Sequence, residues 1–172
     1  MSTYYLTLGY PLAGDISGNS GYTIEISSGV TTKIPYELSI IWASLLNSGL
    51  SDEKTAIEKL AGRGLLIAGN TKKELLTYCM KYRTIRQGIG SVSKQTDGNN
   101  KTIVTSVRLG DKDFILSEFQ SAFWYNSDSV RNISEILNIV AKKKITNFVF
   151  DEEIIAEQIF KLIENGLIFI EK

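Results

Sequence analysis

The chain has 172 residues, with 19 Lys/Arg balancing 19 Asp/Glu for a formal net charge of zero. Its 43% hydrophobic and 22% charged content is that of a globular protein, which sets aside intrinsic disorder. Histidine is absent, which removes the commonest general base and every Ser-His or Cys-His nucleophile pair. The single cysteine, Cys79, cannot form an internal disulfide. With no signal-peptide pattern after Met1 and no apolar run of membrane-spanning length, the expected location is cytoplasmic.

The first 33 residues read as strands and turns: Tyr4 to Leu8, a loop carrying Gly14, Asp15, Gly18, Asn19 and Gly21, then the period-two run Tyr22–Ile26. Pro35 suits a first helical position, and Leu38, Ile41, Trp42, Leu45 and Leu46 follow as an apolar helical stripe. A second helix is expected from Ser51 as N-cap, with the stripe Ala56, Ile57, Leu60 and Ala61 and a stop at Gly62 to Gly64. Leu65-Leu66-Ile67 reads as a short buried strand. Thr71 and Glu74 have capping-box spacing and open a third helix, expected to run through roughly Arg83.

From Gly88 to Gly110 the period returns to two around Asp97-Gly98-Asn99-Asn100, a hairpin signal. Three more helices follow. They open at the pairs Ser117/Gln120 and Asn132/Glu135 and at Asp151, and the last stops at Asn165-Gly166 before a closing strand, Leu167 to Ile170.

The halves resemble each other. Ile24-Glu25-Ile26 corresponds to Val107-Arg108-Leu109, Ile34 to Leu116, Ser39 to Ser121 and Trp42 to Trp124. Leu60 then matches Leu162, Gly64 matches Gly166, and Leu65-Leu66-Ile67 matches Leu167-Ile168-Phe169.

The glycine pairs Gly62/Gly64 and Gly88/Gly90 do not extend to a phosphate-binding loop and read as turn glycines. Asp151-Glu152-Glu153 cannot converge on one metal ion, because adjacent helical side chains diverge; the run suits a helix N-terminus. Cys79 shares a helix face with Leu75 and Tyr82, and the tryptophans lie on apolar stripes, so all three read as core. The expectation is a protein that is not an enzyme and has no cofactor and no metal.

Charge is unevenly distributed. Residues 1–70 carry a net −2, residues 72–108 a net +6, and residues 109–172 a net −4. A basic middle between acidic flanks points to a polyanion partner. The candidate nucleic-acid contacts are Lys72, Lys73, Lys81, Arg83, Arg86, Lys94 and Lys101, spread over a helix and the hairpin after it.

Three helices followed by a basic hairpin over residues 35–110 resemble a winged helix-turn-helix, although the strand Leu65 to Ile67 stands where such domains have only a turn. That resemblance implies a DNA-binding or transcription-regulatory protein on double-stranded DNA, with the third helix in the major groove and the wing on phosphate. Strands leading into an apolar helix, then acidic-capped helices ending in Gly-Leu-Ile, are also similar to the winged-helix domains that recognise leader peptides. This second likeness implies a protein- or peptide-binding adaptor that takes an extended peptide as an added strand beside a hydrophobic groove. A structural subunit of a larger assembly is a third possibility. The expected fold is α+β, with two related winged-helix-like units over residues 1–90 and 91–172.

Overall fold

A computed structural model describes residues 3–12, 21–48, 53–97, 100–143, 145 and 148–172. The fold is mixed α+β, with six helices and several small antiparallel sheets among these residues. None of the described helices is long and apolar enough to cross a membrane.

The chain opens with β1 (Tyr4–Thr7) and turns at Gly9 into a three-stranded sheet of β2 (Tyr10–Leu12), β3 (Tyr22–Ser27) and β4 (Val30–Ile34). Gly9 has φ +98°, and a Cβ there would stand 2.4 Å from the Ile24 side chain and 2.9 Å from the Glu25 carbonyl oxygen, so only glycine fits. Next come α1 (Tyr36–Ser48), α2 (Lys54–Gly62) and β5 (Leu66–Gly69), which pairs antiparallel with β1. The expected cap Ser51 and the loop residues Gly14 to Asn19 lie outside the described residues.

After α3 (Lys72–Cys79) a similar order follows, with one strand and one helix added. Strand β6 (Arg83–Arg86) turns at Gly88 into β7 (Ile89–Asp97), β8 (Asn100–Leu109) and β9 (Lys112–Leu116). Then come α4 (Glu118–Asn126), the added β10 (Asp128–Asn132) and α5 (Ile133–Lys142), α6 (Glu152–Glu164) and β11 (Ile168–Glu171). β11 pairs antiparallel with β6, as β5 does with β1.

Individual hydrogen bonds repeat with the elements. The Trp42 indole donates to the Leu8 carbonyl at 3.2 Å, and the Trp124 indole to the Gln87 carbonyl at 3.0 Å. Each acceptor precedes a positive-φ glycine, Gly9 or Gly88. Leu8 N–H donates to the Leu65 carbonyl and Gln87 N–H to the Leu167 carbonyl. Helices α2 and α6 end alike: Leu65 donates to Leu60 and Gly64 to Ala61, as Leu167 does to Leu162 and Gly166 to Ile163. This is a Schellman closure, and the φ of +70° at Gly64 and +68° at Gly166 explains the glycines.

Two apolar clusters result. The smaller holds Ile24, Ile34, Trp42, Leu45, Leu60 and Leu65; the larger holds Phe119, Phe123, Trp124, Ile136, Ile159 and Leu167. They interlock, because Leu6 of β1 and Leu8 just after it enter the larger cluster while Phe169 of β11 packs against the smaller one. The Ile170 carbonyl accepts from Gly9 N–H at 2.7 Å, and Lys172 N–H donates to the Ile26 carbonyl at 2.9 Å.

The third helix corrects the sequence reading. It ends at Cys79, and Arg83 and Arg86 lie on a strand. The chain turns where Tyr82 N–H bonds the Cys79 carbonyl, and the β-branched pair Thr84-Ile85 then fits a strand that β10 and β11 flank on either side. The expected division at residue 90 falls inside β7, and it places β6 apart from its partners β10 and β11.

Candidate functional site

The basic segment does not form a single helix face. Lys72 and Lys73 open α3, where their ammonium groups meet the acidic face of α6. Lys72 Nζ lies 2.9 Å from Glu164 and 3.2 Å from Glu157, and Lys73 Nζ lies 2.7 Å from Glu152. Partial burial pulls the Lys72 pKa down, but the hydrogen bonds to Glu164 and Glu157 outweigh it and hold the group above its ordinary value. The positive middle and the negative end of the chain thus compensate each other inside the molecule. Residues 85 positions apart make this contact, and neither helix carries a local signal for it.

On β6, Arg83 reaches Glu171 at 3.3 Å. Arg86 donates to the Tyr125 carbonyl at 2.8 Å and lies 5.3 Å from the centre of the Trp124 ring, a cation–π contact. Arg108 forms a two-pronged pair with Asp113 at 2.9 and 3.0 Å. Lys81 and Lys94 are exposed and have no ion pair among the described residues. The Lys101 side chain lies outside the described residues.

The acidic run acts where its position on α6 suggests. Asp151 accepts from the Glu153 and Ile154 N–H groups as N-cap, and Glu152 binds Lys73. Among the described residues no three His, Cys, Asp or Glu side chains gather in a metal-binding group. Cys79 is fully buried, and burial pushes its thiol up to about 12, slightly offset by Lys172. The native thiol should therefore react with a disulfide reagent at least about a hundredfold more slowly than the same thiol in urea, since it is the thiolate that reacts. Stopped-flow labelling checks this; equal rates would contradict it.

Two surfaces are apolar where a sequence scan shows only scattered residues. The first is the sheet β7-β8-β9. Ile89 is 77% exposed, Ile115 74%, Ile103 68% and Val92 59%. The register sets Ile89, Ser91, Ser106 and Ile115 on one face, and Val92 and Ile103 on the other, beyond the buried Val107 and Leu116. Among the described residues strand β7 pairs with β8 alone, so the nine-residue strand has an open edge.

The second surface is a cleft of about 440 Å³ between α1 and the β2–β3 end of the first sheet, lined by Pro11, Tyr22, Tyr36, Ile40, Trp42 and Phe169. Phe169 stacks on Trp42 with ring centres 6.4 Å apart and planes within 3°, and it meets Tyr10 edge-on at 5.5 Å. Around the other tryptophan, Arg86 lies over the Trp124 ring, and Tyr125 packs edge-on against the same ring at 5.1 Å.

No family model and no solved structure matches the chain. Among known proteins it is similar to Sulfate adenylyltransferase subunit 1 of Saccharophagus degradans (strain 2-40 / ATCC 43961 / DSM 17024), at 24% identity over 140 residues. Those residues are 80% of this chain and 29% of that protein, so the chain spans less than a third of the relative's length.

Proposed function

We propose that the chain is a non-enzymatic protein- or peptide-binding adaptor made of two related winged-helix-like units, the second beginning near β6. The paired tryptophan–carbonyl bonds and the paired Schellman closures support a common origin for the units. The open edge of β7 carries the functional reading. It is nine residues long, carries exposed Ile89 on one face and exposed Val92 on the other, and includes one lysine, Lys94. An edge of that length can take an extended segment as a further strand, with backbone hydrogen bonds giving affinity and flanking side chains giving selectivity.

Binding to duplex DNA has less support. Lys72, Lys73, Arg83, Arg86 and Arg108 have partners inside the molecule, and transfer to phosphate would break those contacts. Titrating salt against fluorescent duplex DNA separates the readings. Of the seven candidate residues, Lys81 and Lys94 have no ion pair among the described residues; phosphate contacts from these two and Lys101 would give log affinity against log salt a slope no steeper than about −3, at roughly −0.9 per contact. A steeper slope, flattened by Lys72→Ala with Lys73→Ala, would overturn the adaptor reading in favour of nucleic acid.

A further inference from the structure

The structure assigns the Trp42–Phe169 cleft as a second recognition site, one that takes an aromatic side chain from an extended segment of a partner protein. This rests on reading the chain as a peptide-binding adaptor, but the site is separate from the β7 edge. The cleft continues an interface already formed. β11 and the residue after it dock beside the first sheet as an extended segment, the Ile170 carbonyl accepting from Gly9 N–H and Lys172 N–H donating to the Ile26 carbonyl, and Phe169 stacks on Trp42. The first unit thus already binds a strand with an aromatic side chain, and Phe169 is both the guest at that contact and a wall of the open cleft beside it.

The chemistry of the lining fits the same guest. Tyr22 is 42% exposed, Tyr36 45% and Ile40 52%, an unusual grouping of large apolar side chains at one opening. Among the described residues no charged side chain lines the cleft. The hydroxyl of Ser39, a polar group in the wall, is spent on the Tyr36 carbonyl at 2.6 Å. A charged guest would lose its hydration without compensation there, whereas an aromatic ring finds both stacked and edge-on partners.

Comparison of the units explains why one cleft is open. Ala43 lies one residue after Trp42, and Tyr125 one residue after Trp124. The tyrosine packs on its tryptophan and Arg86 lies over the same ring, whereas Phe169 of β11 is the ring stacked on Trp42. Ala43→Tyr should therefore close the first cleft with a side chain that the second unit already carries at the matching position.

The two indole N–H resonances give one reporter per unit. The probe is acetyl-Gly-Phe-Gly-Phe-Gly-amide, beside two analogues with both phenylalanines replaced by lysine or by aspartate. The Trp42 indole signal should move with the phenylalanine peptide, with a dissociation constant on the order of 1 mM, while the Trp124 signal stays in place. Ala43→Tyr should weaken the response at least about tenfold. Its Trp124 signal reports whether the variant is folded, and Ile40→Lys, on the rim, gives the same loss by a route that adds no bulk to the wall. The assignment is overturned if Trp42 does not respond, if it responds equally to the charged peptides, or if both folded variants respond as the wild type does. Loss of this response with strand addition at β7 intact would leave the adaptor reading standing, and the reverse result would leave the cleft.

Discussion

Trp124→Ala is expected to lower the free energy of unfolding by about 3–5 kcal/mol, and Trp42→Ala by a similar amount. Both rings are buried, at 3% and 4% exposure, so each truncation leaves a cavity of nearly the full indole volume. Each change also strips a donor from a buried carbonyl next to a glycine turn: Leu8 in one case, Gln87 and Leu167 in the other. The cost of an unmet buried acceptor adds to the cavity term. Because β1 feeds the larger cluster and β11 the smaller, the remaining tryptophan should report the same urea midpoint as far-ultraviolet circular dichroism. Separate midpoints, or a loss below about 1 kcal/mol at either site, would show that the units do not depend on these contacts or on each other.

Arg83→Met should cost about 2–3 kcal/mol near neutral pH, somewhat below the figure for a fully buried pair because Arg83 is about one-third open to water. Its partner Glu171 is 5% exposed at the side chain. Burial raises the Glu171 pKa above its ordinary value, Arg83 opposes that shift, and the charge on Glu25 adds to it. A carboxyl raised in the folded state contributes stability that is fully present below its unfolded pKa and is lost as pH rises through the folded value. The wild type should thus lose a small part of its stability as pH rises from about 4.5 through that raised value. Without Arg83 the loss should be larger and extend to higher pH, and Glu171→Gln should flatten this interval. Urea midpoints measured from pH 4 to pH 8 (roughly the span of carboxyl titration) check the order of the three curves. A variant Arg83→Met that is most destabilised in acid would reverse the sign and refute the account of this pair.

Much of the fold was legible because local chemistry decides it. Ser117 with Gln120 and Asn132 with Glu135 form full capping boxes, and Asp151 caps α6. Thr71 accepts from Glu74 N–H, but the Glu74 carboxylate bonds Asn70 N–H, one residue before the cap. The hairpin around residues 97–100 pairs Asp97 with Asn100. What was not legible depends on partners distant in sequence. Strand β6 looked like the end of a helix because its two neighbours, β10 and β11, lie more than 40 residues downstream. The basic segment suggested a polyanion site, but Lys72 and Lys73 meet the carboxylates of α6, and no spacing rule connects 72 to 164. The cleft has no motif; it follows from alanine standing after Trp42 where tyrosine stands after Trp124.

Hydrogen exchange on β7 tests the adaptor account most directly. Peptides selected from a random display library on the immobilised chain supply the ligand, and backbone amides are followed with and without it. Strand addition predicts that the amides of residues 89–97 facing away from β8 become protected, while those already bonded to β8 change little. A selection that enriches no peptide, or protection that falls on α3 and leaves β7 unchanged, would contradict the account.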